Sequence, residues 1–177
     1  AAKALDMTTL GLKPISAGCD DTEQGLRNDD AVQLMASSTV KLPYEQVNPY
    51  AFEPPIAPHI AAQEAQRSVT ISQMQGMVSG ALMAGAQFSL VEGAGGWRVP
   101  VNSREFLSRL PQLLDMPVIL VVGVKLGCLN HARLTAEAIK ADGLKLAGWV
   151  ANCIDPNTAR LEENLEALQG LLGAPCL

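Results

Sequence analysis

The run from Pro117 to Val124 is nearly all apolar and β-branched. That is the composition of a strand buried on both faces, as in a parallel sheet. A parallel strand reaches its neighbour only through a long crossover, usually a helix. The flanking sequence supplies one. Asn130 to Ala141 is Ala-rich and reads as a helix, and Leu146 to Ala151 reads as the next strand. Asp155-Pro156 then offers an N-cap followed by Pro in the first turn, ahead of Leu161, Leu165, Leu168 and Leu172 on one helical stripe.

The same alternation holds upstream. Thr8 to Leu12 is a short strand candidate, stopped at Lys13-Pro14 because Pro cannot extend a central ladder. Cys19 to Asn28 is polar and reads as a loop, after which Asp29 or Asp30 opens a short helix with Ala31, Leu34 and Met35 inward. Five prolines between Leu42 and Pro58 (Pro43, Pro49, Pro54, Pro55, Pro58) argue against regular structure there, with a helical turn beginning near Pro58. Thr70 and Gln73 form a capping-box signature before Met74, Met77, Val78, Ala81 and Leu82, which predicts a helix to about Ala86 and a Met stripe that serves as core. Phe88 to Val91 is the next strand, and Ser103 caps a helix carrying Leu107, Leu110 and Leu114. The expectation is a single α/β domain over residues 1–177, built on a doubly wound, mainly parallel sheet.

Charge and cysteine usage narrow the partners. Lys and Arg number 13 against 18 Asp and Glu, a net charge of −5. Without a basic field, neither nucleic acid nor an anionic membrane is the expected partner. The longest uninterrupted apolar stretch, Val118 to Val122, is far short of a membrane span. Cys19, Cys128, Cys153 and Cys176 include no C-x-x-C pair and suit reduced thiols in a cytoplasmic protein, while His59 and His131 show no zinc spacing. Ala1 to Leu5 reads as the last turns of a helix and Gly173 to Leu177 as a loop entering another strand, the pattern of a fragment.

In sheets of this kind ligands bind beyond the carboxyl ends of the strands, so the residues after each strand carry the chemistry, and all four such stretches are expected on one rim. Glu92 ends a strand and precedes Gly93-Ala94-Gly95-Gly96. It is either a solvated carboxylate or an acid that holds Mg²⁺ while glycines admit phosphate oxygens. Lys13, alone, is a strand-end charge, and Asp30, alone, a helix N-cap. Gly127 to Asn130 leads into a helix, either as an ordinary capped loop or as an anion site of free backbone N–H groups. Cys128 has no neighbour in sequence that would activate it and reads as structural.

Longer strings go further. Lys13-Pro14-Ile15-Ser16-Ala17-Gly18, Gly25-Leu26-Arg27-Asn28-Asp29-Asp30-Ala31, Val47-Asn48-Pro49-Tyr50, Ala57-Pro58-His59, Val91 through Trp97, Val121 through His131 and Ala147 through Asn152 occur in order along the chain. As a set they resemble the dethiobiotin synthetases. The resemblance implies a homodimeric P-loop-type α/β ligase of biotin synthesis. Such an enzyme uses ATP, Mg²⁺ and CO₂ to close the ureido ring of 7,8-diaminopelargonic acid, releasing ADP and phosphate. It implies Lys13 as the catalytic lysine, Asp30 and Glu92 as Mg²⁺ ligands, and Glu92, Gly93, Ala94 and Gly95 as lining for ATP and carbamate. It also implies Asn152 and Cys153 at the adenine edge, and Ala17 with Gly127, Cys128, Leu129 and Asn130 toward the substrate, the last four across the dimer.

Two departures from the family pattern stand out. Ala17 occupies a position where the family has Ser or Thr, with Ser16 one residue earlier and expected to face the other way. No G-x-x-x-x-G-K-[S/T] occurs in the 177 residues, so the family's P-loop unit and C-terminal segment are expected outside them. If these residues were the whole molecule, poor folding and negligible turnover would be expected. The competing readings are an inactive fragment that only dimerises or binds ligand, and a related P-loop regulatory ATPase.

Overall fold

A continuous extended spine organises the first part of the chain. In the computed structural model, which describes residues 2–155 and 157–177, β1 (Thr9–Leu12) pairs in parallel with β6 (Phe88–Val91), in register from Thr9↔Phe88 to Leu12↔Val91. One step on, β2 (Ile15–Ser16) pairs in parallel with β5 (Tyr50–Ala51). The spine therefore changes partner at Lys13. Its neighbour Leu12 still accepts from the Glu92 amide at 2.8 Å, whereas the Lys13 amide donates to the Val47 carbonyl at 2.9 Å.

Helices of the same unit flank this spine: α1 (Asp29–Ser37), α2 (Tyr44–Val47), α3 (Pro58–Glu64) and α4 (Ile71–Leu82). α1 lies against β1. The approach is close enough that a Cβ on Gly11 would sit 2.9 Å from the Leu34 side chain, so glycine is required there for steric reasons. Polar clasps fix the end of α1: Gly11 N–H donates to Ser38 Oγ at 2.9 Å and Thr9 N–H to Thr39 Oγ1 at 2.7 Å. The Thr70 cap accepts from Gln73 N–H at 3.3 Å as its spacing predicts, and Met74, Val78 and Ala81 are buried while Met77 is exposed.

Several sequence expectations change. The polar segment after Cys19 is a hairpin, not a loop: β3 (Asp20–Thr22) and β4 (Gly25–Arg27) pair antiparallel. Thr22 Oγ1 donates to the Gly25 carbonyl at 2.7 Å to close the turn; β3 is exposed and β4 only half-buried at Leu26 and Arg27, so no apolar alternation marks them. α1 opens at Asp29, as expected, but its N-cap is Asn28 rather than Asp30, because Asn28 Oδ1 accepts from Ala31 N–H at 3.2 Å. α2 and β5 fit between Pro43, Pro49 and Pro54, since each proline limits only its own neighbourhood. α4 ends at Leu82 rather than near Ala86. Ser103 caps no helix. Asn102 Oδ1 instead accepts from the Arg104 and Glu105 amides, and the helix there, α5, is Arg109–Leu113.

The chain divides into two compact units, Ala1–Leu110 and Pro111–Leu177. In the second, β7 (Val118–Gly123) pairs in parallel with β8 (Leu146–Asn152), α6 spans Cys128–Ala141 and α7 spans Leu161–Leu172. Val122, Val124, Cys128, Ala132, Trp149, Leu168 and Leu172 form its buried core. Ile119 and Val121, on the alternate positions of β7, are exposed. The expectation of burial on both faces fails for this strand because α6 and α7 cover one face of the unit's two-stranded sheet. Cys176 adds a parallel bridge to Trp149, whose amide and carbonyl bond Pro175 and Leu177 at 2.9 Å each. Of the expected Asp155-Pro156 helix start, Pro156 lies outside the described residues, and α7 begins at Leu161. Among the described residues no helix is long and apolar enough to cross a membrane. Cys19 and Cys128 are buried free thiols, Cys153 and Cys176 exposed ones.

Candidate functional site

Lys13 follows β1 and Glu92 follows β6, so the parallel register sets them side by side. Paired residues in register project to the same face. The two side chains meet, with Lys13 Nζ donating to Glu92 Oε1 at 2.6 Å. Asp30 arrives from another direction. The Asn28 cap starts α1 so that Asp30 falls in its first turn, where the helix dipole favours an acid. Lys13 Nζ donates to Asp30 Oδ2 at 2.8 Å. A third bond, to the Gly93 carbonyl at 3.1 Å, uses the remaining ammonium proton.

Burial is uneven across this trio. The Lys13 side chain is 6% exposed, the carboxylates of Asp30 and Glu92 52% and 41%. A cation taken that far from water needs charged partners, and one cation between two carboxylates leaves the cluster negative. Each carboxylate spends one oxygen on Lys13 and shows a face to solvent. The arrangement is a buried cation behind two hard oxygen donors at the end of a parallel strand pair. Among the described residues no three His, Cys, Asp or Glu side chains gather to hold an ion by protein ligands alone.

The glycine-rich segment continues from there. Gly93 and Gly95 are exposed, Ala94 is half-buried, and Gly95 takes φ +71°. Ala17 is half-buried beyond β2. Its neighbour Ser16 turns inward, 1% exposed, and donates to Asn48 Oδ1 at 2.8 Å. The offset hydroxyl therefore does not substitute at the Ala17 position.

The remaining expected residues belong to the second unit. Asn152 ends β8 opposite Gly123, and both Asn152 and Cys153 are exposed. Gly127 is the N-cap of α6 at φ +94°, a conformation that L side chains rarely adopt, and no side chain caps this helix. Cys128 is buried in the unit's core and Leu129 packs against that core, so both present only backbone at the helix start, while Asn130 is exposed.

Sequence reasoning missed Asn28, Tyr44 and Asn48, which lie buried around Lys13. The string Val47-Asn48-Pro49-Tyr50 was the available signal, though spacing alone attached no role to it.

Comparison with known proteins adds descent to this geometry. A family model described as an AAA domain matches residues 4–177. The chain is 56% identical over 177 residues to the ATP-dependent dethiobiotin synthetase of Pseudomonas paraeruginosa, covering all of this chain and 78% of that protein. The enzyme of the same name from Cellvibrio japonicus is 56% identical, with all of this chain and 77% of the relative covered. That of Marinobacter nauticus is 53% identical over 178 residues, with 100% and 76% covered. Identity on this scale over the whole chain reflects common ancestry: the chain belongs to the dethiobiotin synthetase family.

Proposed function

We propose that this protein is an ATP-dependent dethiobiotin synthase, a ligase that carboxylates 7,8-diaminopelargonic acid with CO₂ and closes the ureido ring. The observation that carries the proposal is the Lys13 ammonium clamped between Asp30 and Glu92 at the end of β1 and β6, in a chain that shares more than half its residues with enzymes of that name.

One amine of the diamine attacks CO₂, loses a proton and becomes a carbamate. A carbamate oxygen attacks the γ-phosphorus of ATP and ADP leaves. The second amine then attacks the mixed anhydride carbon, phosphate departs and the ring is closed. Every intermediate is anionic, so the site must neutralise charge, align the reactants and exclude water. Lys13 suits the first task because its buried charge is weakly screened. Its three protons are already shared with Asp30, Glu92 and Gly93, so an incoming carbamate or phosphoryl oxygen replaces one of these acceptors.

Asp30 and Glu92 fit Mg²⁺, which takes one or two carboxylates and completes its shell with water and phosphate oxygens. Such an ion supplies charge neutralisation to the triphosphate when bound. Gly93, Ala94 and Gly95 are assigned to the ATP and carbamate region, with exposed backbone that admits close approach. Asn152 and Cys153 are assigned to the adenine edge, since an amide matches paired donor and acceptor atoms. The start of α6, from Gly127 to Asn130, has no side-chain cap, and although the Cys128 amide donates to the Lys125 carbonyl at 2.9 Å, the positive end of the helix suits a substrate carboxylate. We assign that carboxylate to a diamine bound by the other subunit of a homodimer. Ala17 offers this substrate a methyl group where the family has a hydroxyl. The domain is taken as single and its setting as the cytoplasm.

The test is product formation by the full-length gene product with ATP, Mg²⁺, bicarbonate and the diamine. Dethiobiotin and phosphate should appear in equal amounts, and only with the diamine present. Phosphate release indifferent to the diamine would overturn the proposal in favour of a regulatory ATPase.

A further inference from the structure

We infer that Asn48 is a positioning residue for this site, one buried amide that fixes both Lys13 and Asp30. The inference rests on the functional reading above. Its observation is a closed ring of hydrogen bonds. Asn48 Nδ2 donates to the Lys13 carbonyl at 2.6 Å. Asn48 Oδ1 accepts from the Tyr44 hydroxyl at 2.9 Å. That hydroxyl accepts from Asn28 N–H at 2.7 Å, and Asn28 caps the helix that carries Asp30. The ion pair between Lys13 and Asp30 closes the ring.

Both branches are tight for reasons of chemistry. The Val47–Asn48 pair holds both polar groups of the Lys13 main chain, because Lys13 N–H also donates to the Val47 carbonyl at 2.9 Å. Asn48, Asn28, Lys13 and Ser16 are 2%, 8%, 5% and 1% exposed, so water does not substitute for a lost partner. The amide has one orientation. Turned over, its NH₂ would still find the two hydroxyls, but its oxygen would face the Lys13 carbonyl with no proton between them. Ser16 occupies the second lone pair of Oδ1 as a donor, which leaves its own oxygen to accept from the Cys19 thiol at 3.2 Å. The amide places its donor and its doubly accepting oxygen on two separate atoms of one plane, which a single hydroxyl does not. A network so fully satisfied is stiff, and stiffness here sets the distance between the lysine and its acid.

Full-length Tyr44→Phe is the cleanest probe, since it keeps the aromatic side chain in place and removes only the hydroxyl that links Asn48 to Asn28. Asn48→Ala is the stronger lesion and serves wherever it folds. For Tyr44→Phe, kcat should fall about three- to tenfold, the weight of one buried hydrogen bond, with KM for ATP and diamine nearly unchanged. In an Asp30→Asn background the same substitution should change kcat by less than about twofold, because its effect passes through Asp30. Independently of turnover, the Lys13 ammonium protons, followed by nitrogen-15 NMR of labelled lysine, should exchange with water about three- to tenfold faster in Tyr44→Phe.

Full additivity with Asp30→Asn, or a lowered melting temperature with unaltered kcat and unaltered ammonium exchange, would overturn the inference and leave Asn48 a purely structural residue. If Asp30→Asn itself turns over normally, the catalytic assignment fails, and the ammonium exchange still decides whether Asn48 positions Lys13.

Discussion

The surroundings of Lys13 and the core between β7, β8, α6 and α7 are both buried, yet they are held by different forces. Lys13 belongs to a buried polar network of an ammonium, two amides, a phenol and a hydroxyl, each with a partner at 2.6–3.2 Å. In the second unit the buried side chains are Val122, Val124, Cys128, Ala132, Trp149, Leu168 and Leu172, with no charge among them. Apolar packing is non-directional and supplies net stability in proportion to area. A buried polar network supplies little net stability, because each hydrogen bond replaces one with water, but it is directional and fixes atoms in place. The first region is therefore arranged for position and the second for cohesion.

Removing packing from the second unit should give the largest effect. Leu168 is fully buried, and Leu168→Ala should destabilise the fold by about 2–5 kcal/mol, the transfer loss plus the cavity. Denaturant unfolding reads the loss directly, and the folded fraction should keep its specific activity. A large drop in kcat without a drop in stability would erase the distinction between the regions.

The opposite pattern is expected for Lys13→Gln and Glu92→Gln. Each should lower turnover about a hundredfold or more, the scale of removing one charged group from a site that stabilises developing charge. Steady-state dethiobiotin formation measures it, and near-wild-type rates in both variants would refute the roles given to the pair.

How far each region could be read in advance follows from the same contrast. The second unit announced itself. Val118–Val122 and Leu161, Leu165, Leu168 and Leu172 carry strong apolar patterns, and β8 and α6 came out within two residues of their expected bounds. β6 matched its expected limits, Phe88 and Val91. Near Lys13 the pattern was silent, because a polar network has no period. Asn28, Tyr44 and Asn48 are scattered in sequence and meet only through the change of strand partner at Lys13. The hairpin β3–β4 is hidden for another reason: β3 is wholly exposed and β4 only half-buried at Leu26 and Arg27, which leaves little burial signal, and its turn depends on Gly25 at φ +89°. Lys13, Asp30 and Glu92 were named by family strings, whereas their separate positions suggested a surface charge, a cap and a solvated acid. The expected Asp30 cap belongs to Asn28, two residues earlier.

That cap gives a smaller prediction. Asn28→Ala removes the Oδ1 acceptor for Ala31 N–H but leaves the main-chain amide that donates to Tyr44. It should destabilise the protein by about 1 kcal/mol. Turnover should fall by more than that stability loss explains, because α1 starts with Asp30 in its first turn. Thermal melting beside kcat separates the two. A stability loss with full kcat would show that the cap serves cohesion alone, as a side chain in the second unit would.

The smallest effect concerns pH and a single hydroxyl. Burial, the largest influence, raises the Tyr44 pKa above the ordinary 10.0; the Cys19 and Glu45 charges add to the rise, while the Asn28 amide and Arg27, whose guanidinium lies 4.1 Å from the ring centre, oppose it. The folded protein thus holds the phenolic proton more tightly than the unfolded chain does. The resulting stability is fully present below pH 10 and is lost as pH rises through the higher folded value. Loss of the proton also removes the donor to Asn48 Oδ1, so the polar region should loosen in that alkaline window while the apolar core does not. Tyrosinate absorbance, compared between the wild type and Tyr44→Phe, isolates this one phenol. The Tyr44 contribution should appear on the alkaline side of a free tyrosine. Titration of Tyr44 at or below the free value would mean that water reaches the hydroxyl. The first region would then owe its geometry to something other than a closed set of buried hydrogen bonds.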